Sequence, residues 1–428
     1  MPILNPIRFH GTLSSPGAVA SVDFDAGIDD DGNLTMVLDP ITPARAATPF
    51  VPQGRPLDDQ SIFTLVGTSD DGWRFSSETF HLSRWSRPEG RAEIEGSCGL
   101  AEFSRDARAD HNDMRAWFFR KLATIHGIER QTPLGRLVFT GYREGADQAP
   151  QAILAIHANG SESQSWWDQS ERFLIHLERV LSLACDVYLV PIYEQRVRDG
   201  VMTLRVVQRG RTSLPYMAPF DLLFMRQIFD CAVRSFEERP EAIERLDPAI
   251  RWMTAPVAYR ESRLTNAMSA LESIIARSNL PDLFVDDPAV FHELKKRVRK
   301  FLKADPDAPS AMGGKVGELN RRSLRDKLDF LLEDRGIHTA DLPIGWLSAN
   351  ARNVIVHTGV APDQGPEDAR LLDHIVWARE IVTRIILDAI GFEGQYQSWL
   401  HRTAYLSFPG CRLMTDVAAE QAAAAANP

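Results

Sequence analysis

Arg352, Asn353 and His357 stand together in Ala351-Arg-Asn-Val-Ile-Val-His-Thr-Gly359, three polar groups in an otherwise apolar run. At about 100° per residue on a helix, Asn353 and His357 share one face. Arg352 lies about 140° from His357, but its long side chain reaches the same helix end. That end favours a protonated imidazole. The chemistry available to such a set is proton transfer next to a bound phosphate. Imidazole gives or takes the proton, and guanidinium offers forked donors to growing negative charge. Asn353 could hold the phosphate or orient His357. A structural role fits the same residues: His357 on the last carbonyls and Arg352 in an ion pair with a neighbouring helix. Arg-x4-His spacing alone does not separate the two.

Other chemistry-bearing patterns fail on spacing. In Gly313-Gly314-Lys315, the first glycine of a phosphate loop would fall at Pro309, and Val316 replaces the hydroxyl residue. Asp29-Asp-Asp-Gly-Asn33 lacks calcium ligands at Gly27 and Leu38 and reads as a hairpin turn. Asp110-His-Asn-Asp113 reads as a solvated helix cap, and Trp166-Trp167 as a core or interface pair. Cys98, Cys185, Cys231 and Cys411 are too dispersed for a zinc site or a disulfide framework, and are expected as buried free thiols. No metal and no cofactor is expected.

The elements that must position these residues change type along the chain. Up to about residue 210, short β-rich runs dominate: Ser61–Gly67, Phe75–Trp85, Gly135–Gly141 and Val201–Gln208. Two helices are expected among them, Met114–Ile125 and Trp166–Cys185. Beyond Phe220 apolar residues recur at helical spacing. One helix ends before Pro240 and another starts near Arg260. A third carries Phe291, Leu294, Val298, Phe301 and Leu302 opposite its lysines and arginines. Leu324 to Leu332, Ile344 to His357, and a long helix opened by Pro366 complete the series. The fold class read from this is α+β, a β-rich N-terminal domain followed by an all-α antiparallel bundle. The boundaries are 1–212 for the β-rich domain, 213–254 for a helical connector, 255–403 for the bundle and 404–428 for a C-terminal tail.

The 428 residues carry Lys+Arg 48 against Asp+Glu 58, a net charge of -10 that disfavours a chain coated in cations. The average hides a local excess. Six of the seven lysines fall between Lys295 and Lys327. Lys295, Lys296, Arg299, Lys300 and Lys303 share the polar side of one helix and could hold RNA phosphates, or simply be solvated. Glu272, inside an apolar helix, could pair with Arg352 or face solvent. The N-terminus lacks a secretory apolar core, and no run approaches the length of a membrane span. A cytoplasmic protein with no membrane partner is expected.

Arg352-Asn-x3-His357 with the following Thr-Gly resembles the signature of the HEPN superfamily, whose ribonucleases carry Arg-x(4–6)-His. Leu264–Ile275, with Leu271-Glu272, resembles the first long helix of such bundles. Pro366–Ile390 resembles the helix after the motif. This likeness covers roughly 255–395. More faintly, Phe9–Leu13 and Phe173–Leu183 resemble the β-rich domain preceding HEPN in ApeA-like abortive-infection proteins. The resemblance implies a metal-independent endoribonuclease, with Arg352, Asn353 and His357 catalytic and Glu272 supporting. It implies a homodimer through the helical domain that brings two motifs to one cleft, and a phage or cellular trigger acting on the N-terminal domain. The competing readings are a non-catalytic HEPN module binding a nucleotide or a protein partner, and an activity lodged in the β-rich half.

Overall fold

The computed structural model describes residues 4–15, 17–29, 33–40, 62–86, 93–107, 112–120, 127–140, 151–160, 162–207, 216–257, 259–305, 310–342, 371–400 and 404–417. The chain divides into two compact units. One is Met1–Glu178 with Leu189–Thr212; the other is Arg179–Tyr188 with Ser213–Pro428.

The first unit is built on one large antiparallel sheet. Its strands are β1 (Leu4–Ser15), β2 (Ala18–Ile28), β3 (Leu34–Leu38), β4 (Ile62–Thr68), β5 (Arg74–Ser86), β6 (Glu93–Cys98) and β7 (Leu100–Asp106). They continue with β8 (Met114–Arg120), β9 (Ile128–Thr132), β10 (Gly135–Thr140), β11 (Gln151–His157), β12 (Tyr193–Arg198) and β13 (Val201–Val207). The order is β3-β2-β1-β4-β5-β7-β13-β12-β8-β11-β10-β9, with β6 branching from β5. Alternation sets the two faces. Phe9, Phe24, Phe75 and Phe103 point inward and touch ring to ring, with centroids 5.1 to 6.1 Å apart. Arg8, on the opposite side of β1, meets Asp23, Asp25 and Asp39 instead. Strand β2 pairs antiparallel with β3, and the Asn33 amide donates to Asp29 Oδ1 at 2.8 Å; residues 30–32 of the expected hairpin turn lie outside the described residues.

Two readings of this half are corrected. Met114–Arg120 is a strand, not the start of a helix. Met114, Ala116 and Phe118 pack toward the phenylalanine core. Arg115, Trp117 and Phe119, on the other face, are buried as well. A strand buried on both faces loses its period-two signal. Asp113 is no helix cap: it is buried and accepts from the amides of Glu162 (2.7 Å) and Asp199 (3.3 Å). Helix α1 (Gln164–Cys185) lies where the sequence places it. Its Trp166 and Trp167 are buried, and the Trp166 indole donates to the Leu134 carbonyl at 2.8 Å.

The second unit is mainly helical: α2 (Met225–Glu238), α3 (Glu241–Thr254), α4 (Arg260–Ala276), α5 (Pro288–Ala304), α6 (Ser310–Lys315), α7 (Leu324–Asp334) and α8 (Leu371–Ala389). Leu264, Ala267, Met268, Leu271, Ile274 and Ile275 give α4 its buried stripe. It packs on α3, α7 and α8. Helix α8 is buried almost all round. It ends at Gly391, whose φ of +66° suits a left-handed cap; a side chain there would come 3.0 Å from Arg239 Nη1. The expected C-terminal tail, 404–428, is corrected in its first part. Gly394–Ser398 (β14), Ala404–Phe408 (β15) and Arg412–Leu413 (β16) form a small sheet, with Tyr396 and Leu406 fully buried.

Arg384 is the largest fully buried side chain among the described residues. Its guanidinium donates to both carboxylate oxygens of Asp341, at 2.7 and 2.5 Å, and to the His338 carbonyl at 2.7 Å. Nε donates to Glu380 at 2.9 Å. Tyr396 and Ser398 donate to the two oxygens of Glu380, at 2.6 and 3.0 Å. Burial alone would raise the Asp341 pKa, but the Arg384 contact outweighs it and holds that carboxyl below its usual range. The stability Asp341 contributes is therefore present above about pH 4 and lost as pH falls through its depressed folded-state value. Asp341→Ala, leaving Arg384 short of a counter-charge, should cost about 3–5 kcal/mol in urea unfolding at neutral pH. The gap from the native chain should narrow in acid. Equal midpoints at neutral pH would show that the pair does not hold the unit together.

Candidate functional site

Arg352, Asn353 and His357 lie outside the described residues, as does the expected helix 344–357. The elements flanking them in the chain are described. Leu342 on one side is buried, and α8 on the other begins at Leu371. Glu272 is half-buried on α4, between the buried Leu271 and Ile274. Its pairing with Arg352 falls outside the described residues because Arg352 does.

The cation row lies on α5, among the described residues. Asp287 caps α5, accepting from the Ala289 amide at 2.8 Å, and Pro288 occupies the first helical position. Lys296, Arg299, Lys300 and Lys303 are exposed and Lys295 is half-buried. Lys296 reaches Glu293 at 3.7 Å across one turn. The apolar stripe opposite them does not enter the core: α5 has no buried residue. The buried residues of this unit come instead from α2, α3, α4, α7 and α8.

Sequence reasoning passed over several features. A cavity of about 390 Å³ opens in the second unit where the C-terminal ends of α2, α4, α7 and α8 meet the N-terminal part of α3. Arg239, Arg245, Arg277 and Arg335 line it. Arg239 donates to the Asp388 carbonyl at 3.2 Å, and Arg335 pairs with the Asp388 carboxylate at 2.9 Å. Helix C-termini carry partial negative charge, so Arg239 caps α8 and Arg335 is engaged by a carboxylate, and neither is a free anion donor. In the first unit, a cleft of about 520 Å³ is lined by Met114, Gln131, Arg136, His157 and Gln195, among others. Register makes part of it a single row: Val197 pairs with Met114, Met114 with His157, His157 with Arg136 and Arg136 with Gln131. Burial, with Arg136 next in weight, lowers the His157 pKa and favours its neutral form.

The thiols are poor candidates for nucleophiles. All four cysteines are free, and burial pushes their thiols up, Cys98 and Cys231 to about 11 and Cys185 to about 12. A thiol raised this far is a poor nucleophile at neutral pH. No group of three or more His, Cys, Asp or Glu gathers among the described residues in a way that could hold a metal ion.

His374, in the first turn of α8, is buried, and neither ring nitrogen has a hydrogen-bond partner among the described residues. Its ring stands edge-on to Trp377, with centroids 5.0 Å apart. Burial lowers its pKa, against a smaller opposing pull from Asp373. The folded chain thus resists a proton that the unfolded chain accepts near pH ~6.5. Stability should fall as pH drops through that value. His374→Leu should flatten the dependence of the urea midpoint between about pH 7.5 and 5.5. An unchanged slope would show that His374 does not titrate this way.

The chain matches no protein-family model, no curated protein and no solved structure. What the described residues define is an α+β protein with a large antiparallel sheet in its N-terminal half and helices after it. No described helix is long and apolar enough to cross a membrane.

Proposed function

We propose that this chain is a metal-independent endoribonuclease of the HEPN kind, acting in the cytoplasm in abortive infection. The observation that carries the proposal is the segment Arg352-Asn353-Val-Ile-Val-His357-Thr-Gly, which leads in the chain to the buried helix α8. Two further features support it. Helices α4 and α8 pack on each other, as the resemblance to a HEPN bundle would have them. Helix α5, in the same unit, bears six cations against the single carboxylate of Glu293.

In the proposed reaction the ribose 2′-oxygen attacks phosphorus and the 5′-oxygen leaves. His357 of one protomer takes the 2′-OH proton, and the partner's His357 returns a proton to the leaving oxygen. Arg352 stabilises charge on the phosphoryl oxygens. Asn353 binds the phosphate or orients His357 from the preceding turn. Homodimerisation through the helical unit fills both proton-transfer roles, which a single imidazole cannot hold at once. The first unit would sense a phage or cellular trigger.

His357→Ala and Arg352→Ala should each lower cleavage of total RNA by at least about 10²-fold, in the presence of EDTA, without altering the dimer's elution volume. Undiminished cleavage by either pure variant would overturn the assignment. Lys296→Glu with Lys303→Glu should weaken RNA retention on filters. It should also flatten the log–log salt dependence by roughly 0.7 for each phosphate no longer neutralised. A native affinity indifferent to salt would remove α5 from the RNA path.

A further inference from the structure

Helix α5 leaves an apolar edge in water that its cations do not explain. Val290, Leu294 and Phe301 are 50%, 38% and 71% exposed. At about 100° per residue they fall within an arc of about 40°. The adjoining part of the apolar side, Phe291, Val298 and Leu302, is half-buried against the chain. Arg297 and Lys300, both exposed, flank the open edge on its other side, with Glu293, which pairs with Lys296 at 3.7 Å, between them. Lys296 and Lys303 stand roughly opposite it. Exposure of this kind is concentrated here. Of the sixteen large apolar side chains exposed among the described residues, six lie between Phe284 and Leu319. Scattered apolar residues are normal on a surface, but an apolar edge beside a mainly cationic flank marks a contact surface.

We propose that α5 is an interfacial helix that docks the chain on an anionic lipid surface. Phe301, Leu294 and Val290 enter the boundary between headgroups and acyl chains, and Arg297 and Lys300 stay at the headgroups. The pairing of the two chemistries selects this partner. RNA offers phosphates to the cations but gains nothing from the aliphatic edge of Val290 and Leu294. A second copy of the same helix meets the apolar edge but sets six cations against six. An anionic bilayer satisfies both: it takes the apolar edge, and its surface potential draws every cation within about a Debye length. The long stems of Arg297 and Lys300 let their charges reach the headgroups while the apolar edge sinks. This inference does not rest on the ribonuclease reading, because the lipid edge and the Lys296–Lys303 side occupy different faces of the helix.

The test is flotation of the full chain with vesicles of phosphatidylcholine alone and of an equal mixture with phosphatidylglycerol. The native chain should rise with the mixed vesicles and stay behind with the neutral ones. Leu294→Ser with Phe301→Ser, both exposed and so tolerated by the fold, should lose at least about tenfold in vesicle binding while keeping its RNA retention. Arg297→Glu with Lys300→Glu should lose vesicle binding as well. Any of three results would overturn the proposal. The first is a native chain that stays behind with the mixed vesicles. The second is a serine variant that floats like the native chain, leaving charge as the whole cause. The third is a serine variant that breaks a dimer in sedimentation, assigning the edge to a second copy.

Discussion

A guanidinium buried in a helical core must find every one of its partners inside the protein. Arg384 does so, and much of the second unit depends on it. Its partners come from α8 itself, from the segment after α7 and from the small C-terminal sheet. Arg384 thereby ties together elements that lie apart in the chain. Glu380, four residues earlier on α8, carries the tie on to Tyr396 and Ser398. Removing one member leaves a charge with no route to water, which costs far more than a lost surface pair. A second tie works the same way. Asp186 accepts from the amides of Tyr216 and Met217 and pairs with Arg379, which also donates to the Met253 carbonyl at 2.9 Å.

Helices α8 and α5 show opposite solutions to carrying charge. On α8, Arg379, Glu380 and Arg384 are buried and each finds fixed partners, so the helix is held in one register. On α5, every cation but the half-buried Lys295 faces water and no residue is buried, so the helix adds little to the core and is left available for contact. The second unit thus combines a rigid centre with an exposed cationic helix. The first unit depends on alternation along its strands. The ring-to-ring contacts of Phe9, Phe24, Phe75 and Phe103 hold one face. On β1 and β2 the other carries polar pairs such as Arg8 with Asp25, and on β8 it is buried at Trp117 and Phe119.

Much of the fold is legible in the sequence where one face of an element meets water. The strands Ile62–Thr68, Gly135–Thr140 and Val201–Val207, and helices α1, α2, α4 and α7, can be read from periodicity and caps. Legibility fails where burial is two-sided or absent. Strand β8 is apolar on both faces and imitates a helix. Helix α5 has a well-formed apolar stripe that the core does not use. The terminal strands β15 and β16 are short, and the small sheet is anchored by Tyr396 and the Arg384 network rather than by a pattern of its own. Arg384 left a signal that could have been used. An arginine inside Ile381-Val-Thr-Arg-Ile-Ile-Leu387, with Glu380 four residues before it, has to be a paired buried charge. Of the candidate site, the cation row and Glu272 fall on described helices, and Arg352, Asn353 and His357 fall outside the described residues.

If the Arg352–His357 segment does the proposed chemistry, the ribose 2′-hydroxyl must be the nucleophile. A single 2′-deoxynucleotide placed 5′ to the scissile phosphate of an RNA oligonucleotide that the chain cleaves tests this at the reacting atom. Cleavage at that bond should stop while neighbouring bonds are still cut, each leaving a 2′,3′-cyclic phosphate. Cleavage at the deoxy position, or a 5′-phosphate on the downstream fragment, would contradict the mechanism.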